Sequence, residues 1–227
     1  MAGAGASGQS NSENTAIGAK ALYDITDGAG NTAVGKYALT DVTSGDYNVG
    51  IGRNAGEKIN TGDHNIVIGY HAGVSLTDNV RNIAIGAIAL DAANSGEDAN
   101  IAIGFGALST LDDAAADYNC VVGTFAGEAA TTVFNATLIG TLAGGSAAIT
   151  NAAQGTVGVG YGALKVLTSG IENVAVGSGS MATEDTGDYN TAVGTLALNK
   201  LNNDGSTLTT AVGHHAGKVV TTGVMTT

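Results

Sequence analysis

The sequence has no proline and no tryptophan among its 227 residues, and it has a single cysteine, Cys120. One cysteine cannot form a disulfide within the chain or build a metal cluster, so Cys120 is predicted to be a small buried side chain. Lys and Arg number only eight against 20 Asp and Glu, which gives a net charge of −12. Because nucleic acids attract clustered positive charge, the sequence predicts no nucleic-acid partner.

Long apolar runs are missing as well. No stretch of about 18 apolar residues occurs, so the sequence predicts no insertion into a membrane. The opening "MAGAGASGQSNSEN" has no basic residue followed by an apolar run and therefore does not read as a secretion signal. Release by cell lysis, as for virus particles, would remove the need for one. The first 13 residues are rich in Gly and Ser, so we expect residues 1–13 to form a flexible arm.

Glycine, in contrast, is abundant, and it recurs at a regular spacing after Val or Ile. Successive members of this series lie 17 to 20 residues apart, which is typical of a repeat architecture. The repeat glycines are Gly18, Gly35, Gly52, Gly69, Gly86, Gly104, Gly123, Gly140, Gly160, Gly177, Gly194 and Gly213. The sequence therefore predicts two parts, the arm and a repeat domain over residues 14–227.

Each repeat glycine follows a β-branched run such as "TAV" or "IAI", which predicts a short strand. A unit of 17 residues suits two short strands and two turns, and it cannot bury an apolar face until copies stack about 4.8 Å apart. Stacking would place one Val or Ile of every copy in a continuous core. These predicted core residues are Ile17, Val34, Ile51, Ile68, Ile85, Ile103, Val122, Ile139, Val159, Val176, Val193 and Val212.

An asparagine stands four residues before nine of the twelve repeat glycines. Stacked copies would align these amides, so the sequence predicts an Asn ladder along the stack. Its members are Asn14, Asn31, Asn48, Asn65, Asn82, Asn100, Asn119, Asn173 and Asn190. The other three copies carry Ala136, Thr156 and Thr209 at this place.

These patterns favour an all-β fold, a parallel β-solenoid of about twelve coils of 17–20 residues. A helical alternative exists for residues 106–118, "GALSTLDDAAADY", but Gly, Thr and Asn interrupt most other copies. The Leu spacing of leucine-rich repeats is absent. The middle residue of each strand is small and apolar, so both strand faces are apolar and we expect a second chain to cover one of them.

The units "NTAIGAKAL", "NTAVGKYAL", "NIAIGFGAL" and "NVAVGSGSM" resemble the repeat of YadA-type trimeric adhesin heads, and more closely the "NTAVGxxAL" repeats of phage tail fibres. The resemblance covers residues 14–227. It implies a left-handed parallel β-roll, a homotrimer, and use as a rigid fibre or adhesive head. The chain departs from the adhesins because its repeat is longer and because their neck, coiled coil and membrane barrel are not found in it.

Motifs for chemistry are weak. The phrase "VGVGYG" (157–162) is explained by the repeat, and no acidic partner or βαβ pattern accompanies it. The four histidines lie in separate copies or, at 214–215, side by side, and their spacing fits no zinc site. The acids fall mainly in polar turns, where solvated turn residues are a simpler interpretation than a Ca²⁺ site. We therefore expect no enzyme activity, no metal and no cofactor.

The expected function is that of a non-enzymatic structural protein of a virion, a tail-fibre-type rod on the particle surface that contacts the host. Its expected partners are itself, as a trimer that can also join end to end, other virion proteins through the arm or an open end, and a host surface receptor. The alternatives are an adhesin head on a cell surface and a self-assembling extracellular filament. A carbohydrate-processing fibre enzyme ranks last because no acid pair is visible.

Overall fold

The computed structural model describes residues 12–94, 96–145, 147, 149, 153–202, 205–206 and 208–222. The predicted arm lies outside these ranges except for its last two residues. The last residues of the final copy, 223–227, also lie outside them.

Twelve strands of three residues form one parallel sheet, and each copy of the repeat contributes one of them. They are β1 Thr15–Ile17, β2 Thr32–Val34, β3 Val49–Ile51, β4 Ile66–Ile68, β5 Ile83–Ile85, β6 Ile101–Ile103, β7 Cys120–Val122, β8 Thr137–Ile139, β9 Val157–Val159, β10 Val174–Val176, β12 Thr191–Val193 and β14 Thr210–Val212. The chain is thus an all-β parallel solenoid of about 11 turns, and its described part contains no helix. We call each copy of the repeat a rung.

The strands pair in one unbroken register. Ala16 lies opposite Ala33, and the flanking residues of each strand lie opposite their equivalents in the next rung. The longest rung, with 20 residues between Gly140 and Gly160, keeps this register because Leu138 still pairs with Gly158. Extra residues in a rung are therefore accommodated outside the strand, and the sheet continues past them.

A second strand in every rung was predicted, and the described residues do not bear this out. They contain one further strand pair only, β11 (Gly187–Asp188) with β13 (Gly205–Ser206). In the other rungs the opposite side of the coil is built of turns whose backbone groups bond from rung to rung, as in the bond from the N–H of Asp24 to the carbonyl of Thr40 at 3.0 Å. Hydrogen bonds between stacked rungs satisfy the backbone groups of these turns, so the turns do not need strand geometry.

The prediction of which strand face is the core was wrong. The middle residue of the sheet strands is buried from β2 to β12 and half-buried in the end strands β1 and β14, and the Val or Ile before the repeat glycine points out of the coil. None of these Val or Ile side chains belongs to the buried core of the chain. The misassigned residues are Ile17, Val34, Ile51, Ile68, Ile85, Ile103, Val122, Ile139, Val159, Val176, Val193 and Val212.

The physical reason is the thinness of the coil. Aliphatic side chains from the turn after the strand, such as Leu39 and Val42, are fully buried and occupy the interior. At Gly50, in the middle of β3, an added Cβ would lie 2.6 Å from Cγ of Leu39, so little room is left on the inner side of the strand. Ala and Gly fit there, and the β-branched residues are left on the outer side.

Large and small residues compensate each other inside the stack. Four residues after the repeat glycine, six rungs place a buried Leu and one a buried Met, while five rungs have Gly at this position. An added Cβ at Gly73 would lie 2.7 Å from both Val67 and Leu76, and one at Gly144 would lie 2.9 Å from Leu138. In these two rungs, where Gly replaces Leu in the turn, the larger Val67 or Leu138 at the strand centre fills the space, which keeps the core densely packed.

Candidate interaction surfaces

The outer face of the sheet is an aliphatic surface along the whole stack. We define it by the first and third residues of the twelve strands, which are Val, Ile or Thr except for Cys120. Most are half-buried in the single chain, while Ile17 and Val212 at the two ends are 60% and 69% exposed. Twelve strands make a stripe about 55 Å long and about 7 Å wide. A continuous apolar patch of this size is typical of an association surface.

The repeat glycines border this face, and the backbone there requires glycine. Their φ values lie in the left-handed half of the map, as at Gly69 with φ +140°. An added Cβ at Gly69 would lie 2.5 Å from the carbonyl oxygen of Gly86, the equivalent residue of the next rung. The rungs therefore touch backbone to backbone at this column, and a side chain would push them apart.

The asparagine side chains join neighbouring rungs by hydrogen bonds to backbone groups. The side-chain oxygen of Asn31 accepts a hydrogen bond from the N–H of Asn48 at 2.8 Å, and its amide donates to the carbonyl of Gly45 at 2.7 Å. Direct bonds between amides also occur, as from Asn65 to Asn48 at 3.0 Å. Thr156, which replaces Asn, still donates through its hydroxyl to the carbonyl of Gly170 at 3.3 Å. An Asn such as Asn31 thus bonds to two backbone groups of the following rung.

Aspartates form a second ladder, which the sequence analysis did not identify. They lie two residues before an Asn of the repeat, and each accepts the backbone N–H of the equivalent residue in the preceding rung. The bonds run from Ala29 to Asp46, Asp46 to Asp63, Val80 to Asp98, Asp98 to Asp117 and Ile171 to Asp188, at 2.7–3.0 Å. The recurring "GDYN" and "GDHN" phrases were the available signal. We call this column the Asp ladder.

The Asp ladder is interrupted in several rungs, and one interruption lies at Val80, which takes the place of Asp. The N–H of Asp63, which the next Asp would have capped, has no acceptor among the residues that the structure describes. A hollow of about 460 Å³ opens at this place, lined by Asp63, His64, Val80 and Arg81. We call it the ladder gap.

Basic and aromatic side chains cluster on the corner that follows the strands of the first four rungs. Lys20 lies 5.4 Å from the ring centres of both Tyr23 and Tyr37, and Arg53 lies 5.9 Å from that of Tyr70. Acids adjoin them: burial, together with the charges of neighbouring carboxylates, raises the pKa of Asp41. This corner is the most cationic part of an otherwise acidic chain.

The remaining candidate residues are scattered. Cys120 is half-buried on the outer face, at the first position of β7. His214 and His215 both follow β14, and their stacked rings have centres 3.8 Å apart. Desolvation, with the charges of His214 and Lys218, lowers the pKa of His215.

Within the described residues, no group of three or more His, Cys, Asp or Glu is arranged to hold a metal ion. The same residues include no helix with the length and hydrophobicity needed to cross a bilayer. Comparison with protein-family models gives no match, and comparison with curated proteins and with solved structures gives none either.

Proposed function

We propose that this protein is a structural rod, a homotrimeric fibre on the surface of a virion that contacts the host. Three chains would lay their outer faces together around one axis, with their coils left-handed as the tail-fibre resemblance implies. The chain would act by holding its shape and presenting its turns to the surroundings, without catalysing a reaction.

The observation that carries the proposal is the outer face. Ile66 and Ile68 of β4 and Ile83 and Ile85 of β5 stand side by side on a flat sheet, and water covers them in the single chain only in part. Burying such a stripe against a sister chain is worth about 25 cal/mol for each Å² of apolar surface removed from water. Small Thr, Val and Ile side chains allow close approach of flat sheets. The number three comes from the resemblance.

Stiffness follows from the way the rungs are joined. Neighbouring rungs bond through the sheet and touch at the repeat glycines, and many are joined as well by the Asn column or the Asp ladder. Such stacking passes load from neighbour to neighbour along the axis, as a fibre requires. The rod would be about 55 Å long for the twelve rungs.

The ends would provide attachment. Among the residues that the structure describes, β14 is the last strand of the sheet, and it pairs on one side with β12. Open strand edges attract further strands, so this end would dock on another virion protein or on a further copy, end to end. The arm would attach the opposite end of the rod to another virion protein.

Labelling on particles tests the proposal. An antibody against the purified chain, carried on gold, should decorate projections of purified virions in electron micrographs. Label on a bacterial cell surface would favour the adhesin alternative, and long filaments grown from pure protein would favour the filament. An absence of label from intact particles that contain the chain by immunoblot would contradict a surface fibre.

A further inference from the structure

The ladder gap is a place where the fold leaves room for a carboxylate. In the rungs around it, a carboxylate oxygen of Asp receives the backbone N–H of the rung before, as Asp63 does for Asp46 at 2.7 Å and Asp98 for Val80 at 2.8 Å. The side chain of Val80 cannot accept a hydrogen bond. The N–H of Asp63 is therefore presented to the gap in the geometry that the protein itself caps with a carboxylate elsewhere.

The side chains around the gap fit an anion. Arg81 and His64 belong to the exposed column immediately before the asparagines, and both line the hollow. A guanidinium offers paired donors that match a carboxylate in shape and charge. Backbone bonds hold this column in place, since the N–H of Arg81 donates to the carbonyl of Asp63 at 3.0 Å and that of His64 to Asp46 at 2.9 Å. The backbone that carries these donors is thus held in place before a ligand arrives.

Opposing charges limit the affinity. Asp63 lines the gap with its own carboxylate, and Asp98 lies in the next rung of the ladder. One Arg against these acids gives no strong general attraction for anions. Binding then requires a carboxylate that contacts the N–H of Asp63 and the guanidinium of Arg81 at the same time. The site should therefore be selective for the shape of its ligand and should bind simple anions weakly.

An aromatic side chain beside the gap points to the kind of molecule that carries the carboxylate. Tyr47 precedes His64 in the same column, their ring centres lie 5.2 Å apart, and the Tyr47 side chain is 56% exposed. The exposed Tyr47 ring, tilted by 38° against the His64 ring, offers an aromatic face next to the anion donors, on which the apolar face of a sugar ring can lie. Successive rungs repeat every 4.8 Å or so, which suits an extended chain running along the rod.

We propose that the ladder gap binds the carboxylate of an acidic sugar in a polysaccharide, with Arg81, His64 and the N–H of Asp63 as donors and Tyr47 as the stacking surface. This site would supply the host contact of the proposed function, and its biological meaning rests on that function. Binding by the purified chain is a separate property, so it can be present or absent whatever particle labelling finds.

The probe is fluorescently labelled trigalacturonate, titrated with the full-length protein and followed by anisotropy. Val80→Asp restores the Asp ladder and fills the gap with the protein's own carboxylate, so it should fold and should weaken binding at least about tenfold. Arg81→Gln should weaken binding by a similar factor. Circular dichroism and the melting temperature verify that both variants are folded.

Ile171→Asp is the matched control. It adds the same negative charge in the same column but lies far along the stack, so binding should remain as in the wild type. Fully methyl-esterified trigalacturonate, which keeps the sugar and loses the charge, should not bind. Loss of binding in Ile171→Asp equal to that in Val80→Asp would overturn the site, as would equal binding of the ester or no binding at millimolar probe. Tighter binding of triglutamate would overturn the choice of a sugar.

Discussion

At the scale of single residues, the fold depends on positions where only one side chain fits. In the described part of the chain the backbone is left-handed at 26 residues other than glycine, including large ones such as Leu39 and Tyr47. Such conformations cost of order 1 kcal/mol each. The stack tolerates them because every rung repeats the same corners and buries Leu at one of them. Glycine is essential only where a Cβ would meet the next rung.

Replacing repeat glycines at two different positions separates the cost of an unfavourable φ from the cost of overlap with the next rung. Gly69→Ala should destabilise the chain by more than about 3 kcal/mol, because it adds both unfavourable φ and overlap with Gly86. Gly213→Ala has a similar φ of +128°, but its Cβ would meet nothing nearer than Ala216 at 3.9 Å. It should cost about 1–2 kcal/mol. Urea denaturation of both variants gives the comparison, and equal losses would show that overlap between rungs plays no part.

Removing an asparagine side chain should leave two buried backbone groups without a partner. In Asn65→Ala, the N–H of Asn82 loses its acceptor at 3.0 Å and the carbonyl of Asn79 loses its donor at 2.7 Å, both in the buried interior. Two buried groups left unpaired should lower the free energy of unfolding by about 2–4 kcal/mol. Asn60→Ala, on an exposed turn, is the control and should cost under about 1 kcal/mol. Similar losses in both would contradict a structural role for the Asn column.

Asp41 gives a prediction on pH. Burial, and then the charges of Asp24 and Glu57, raise its pKa above the usual 3.8, so the folded chain holds this proton more tightly than the unfolded chain does. Stability is therefore lost as pH rises through the raised pKa. Asp41→Asn should increase the melting temperature at pH 7, on the order of 1–2 °C, and the gain should vanish below about pH 3.8. A variant that melts lower than the wild type at pH 7 would contradict this sign.

At the scale of the element, the sequence predicted where the twelve sheet strands lie, but it assigned the wrong face of each strand to the core. Spacing located all twelve strands and their register, because the repeat glycine marks the end of each one. It could not assign the faces, since Ala84 and Ile85 are both apolar and hydrophobicity alone does not distinguish them. Residue volume does: the interior already holds Leu and Ile from the turns, so only a small residue fits at the strand centre. The Asp ladder escaped prediction because Asp in a turn has a simpler explanation.

A pair of substitutions tests the faces directly. Ala84→Ile adds bulk to the filled interior and should cost at least about 1–3 kcal/mol. Ile85→Ala, one residue along, removes bulk from the outer face and should cost the isolated coil less than about 1.5 kcal/mol. Thermal unfolding of each variant at low protein concentration supplies the measurement. If Ile85→Ala were the more damaging change in a single chain, the face assignment would be reversed.

At the scale of the whole molecule, one flat aliphatic stripe runs the length of an otherwise polar coil. Double substitution Ile68→Lys with Ile85→Lys should leave the coil folded and separate the chains, because two charges cannot be buried in an apolar interface at small cost. Thr61→Lys with Asn60→Lys, on an exposed turn, adds the same charge and should leave the assembly unchanged. Dissociation of both pairs alike would mean that net charge, and not the outer face, controls association.

Sedimentation equilibrium of the wild-type protein is the most direct test of the central claim, that sister chains cover the outer face. The proposal predicts a particle with three times the mass of one chain, unchanged over a wide range of concentration. A particle with the mass of a single chain at every concentration would contradict it, because the stripe of Val and Ile would then stand in water along the whole rod.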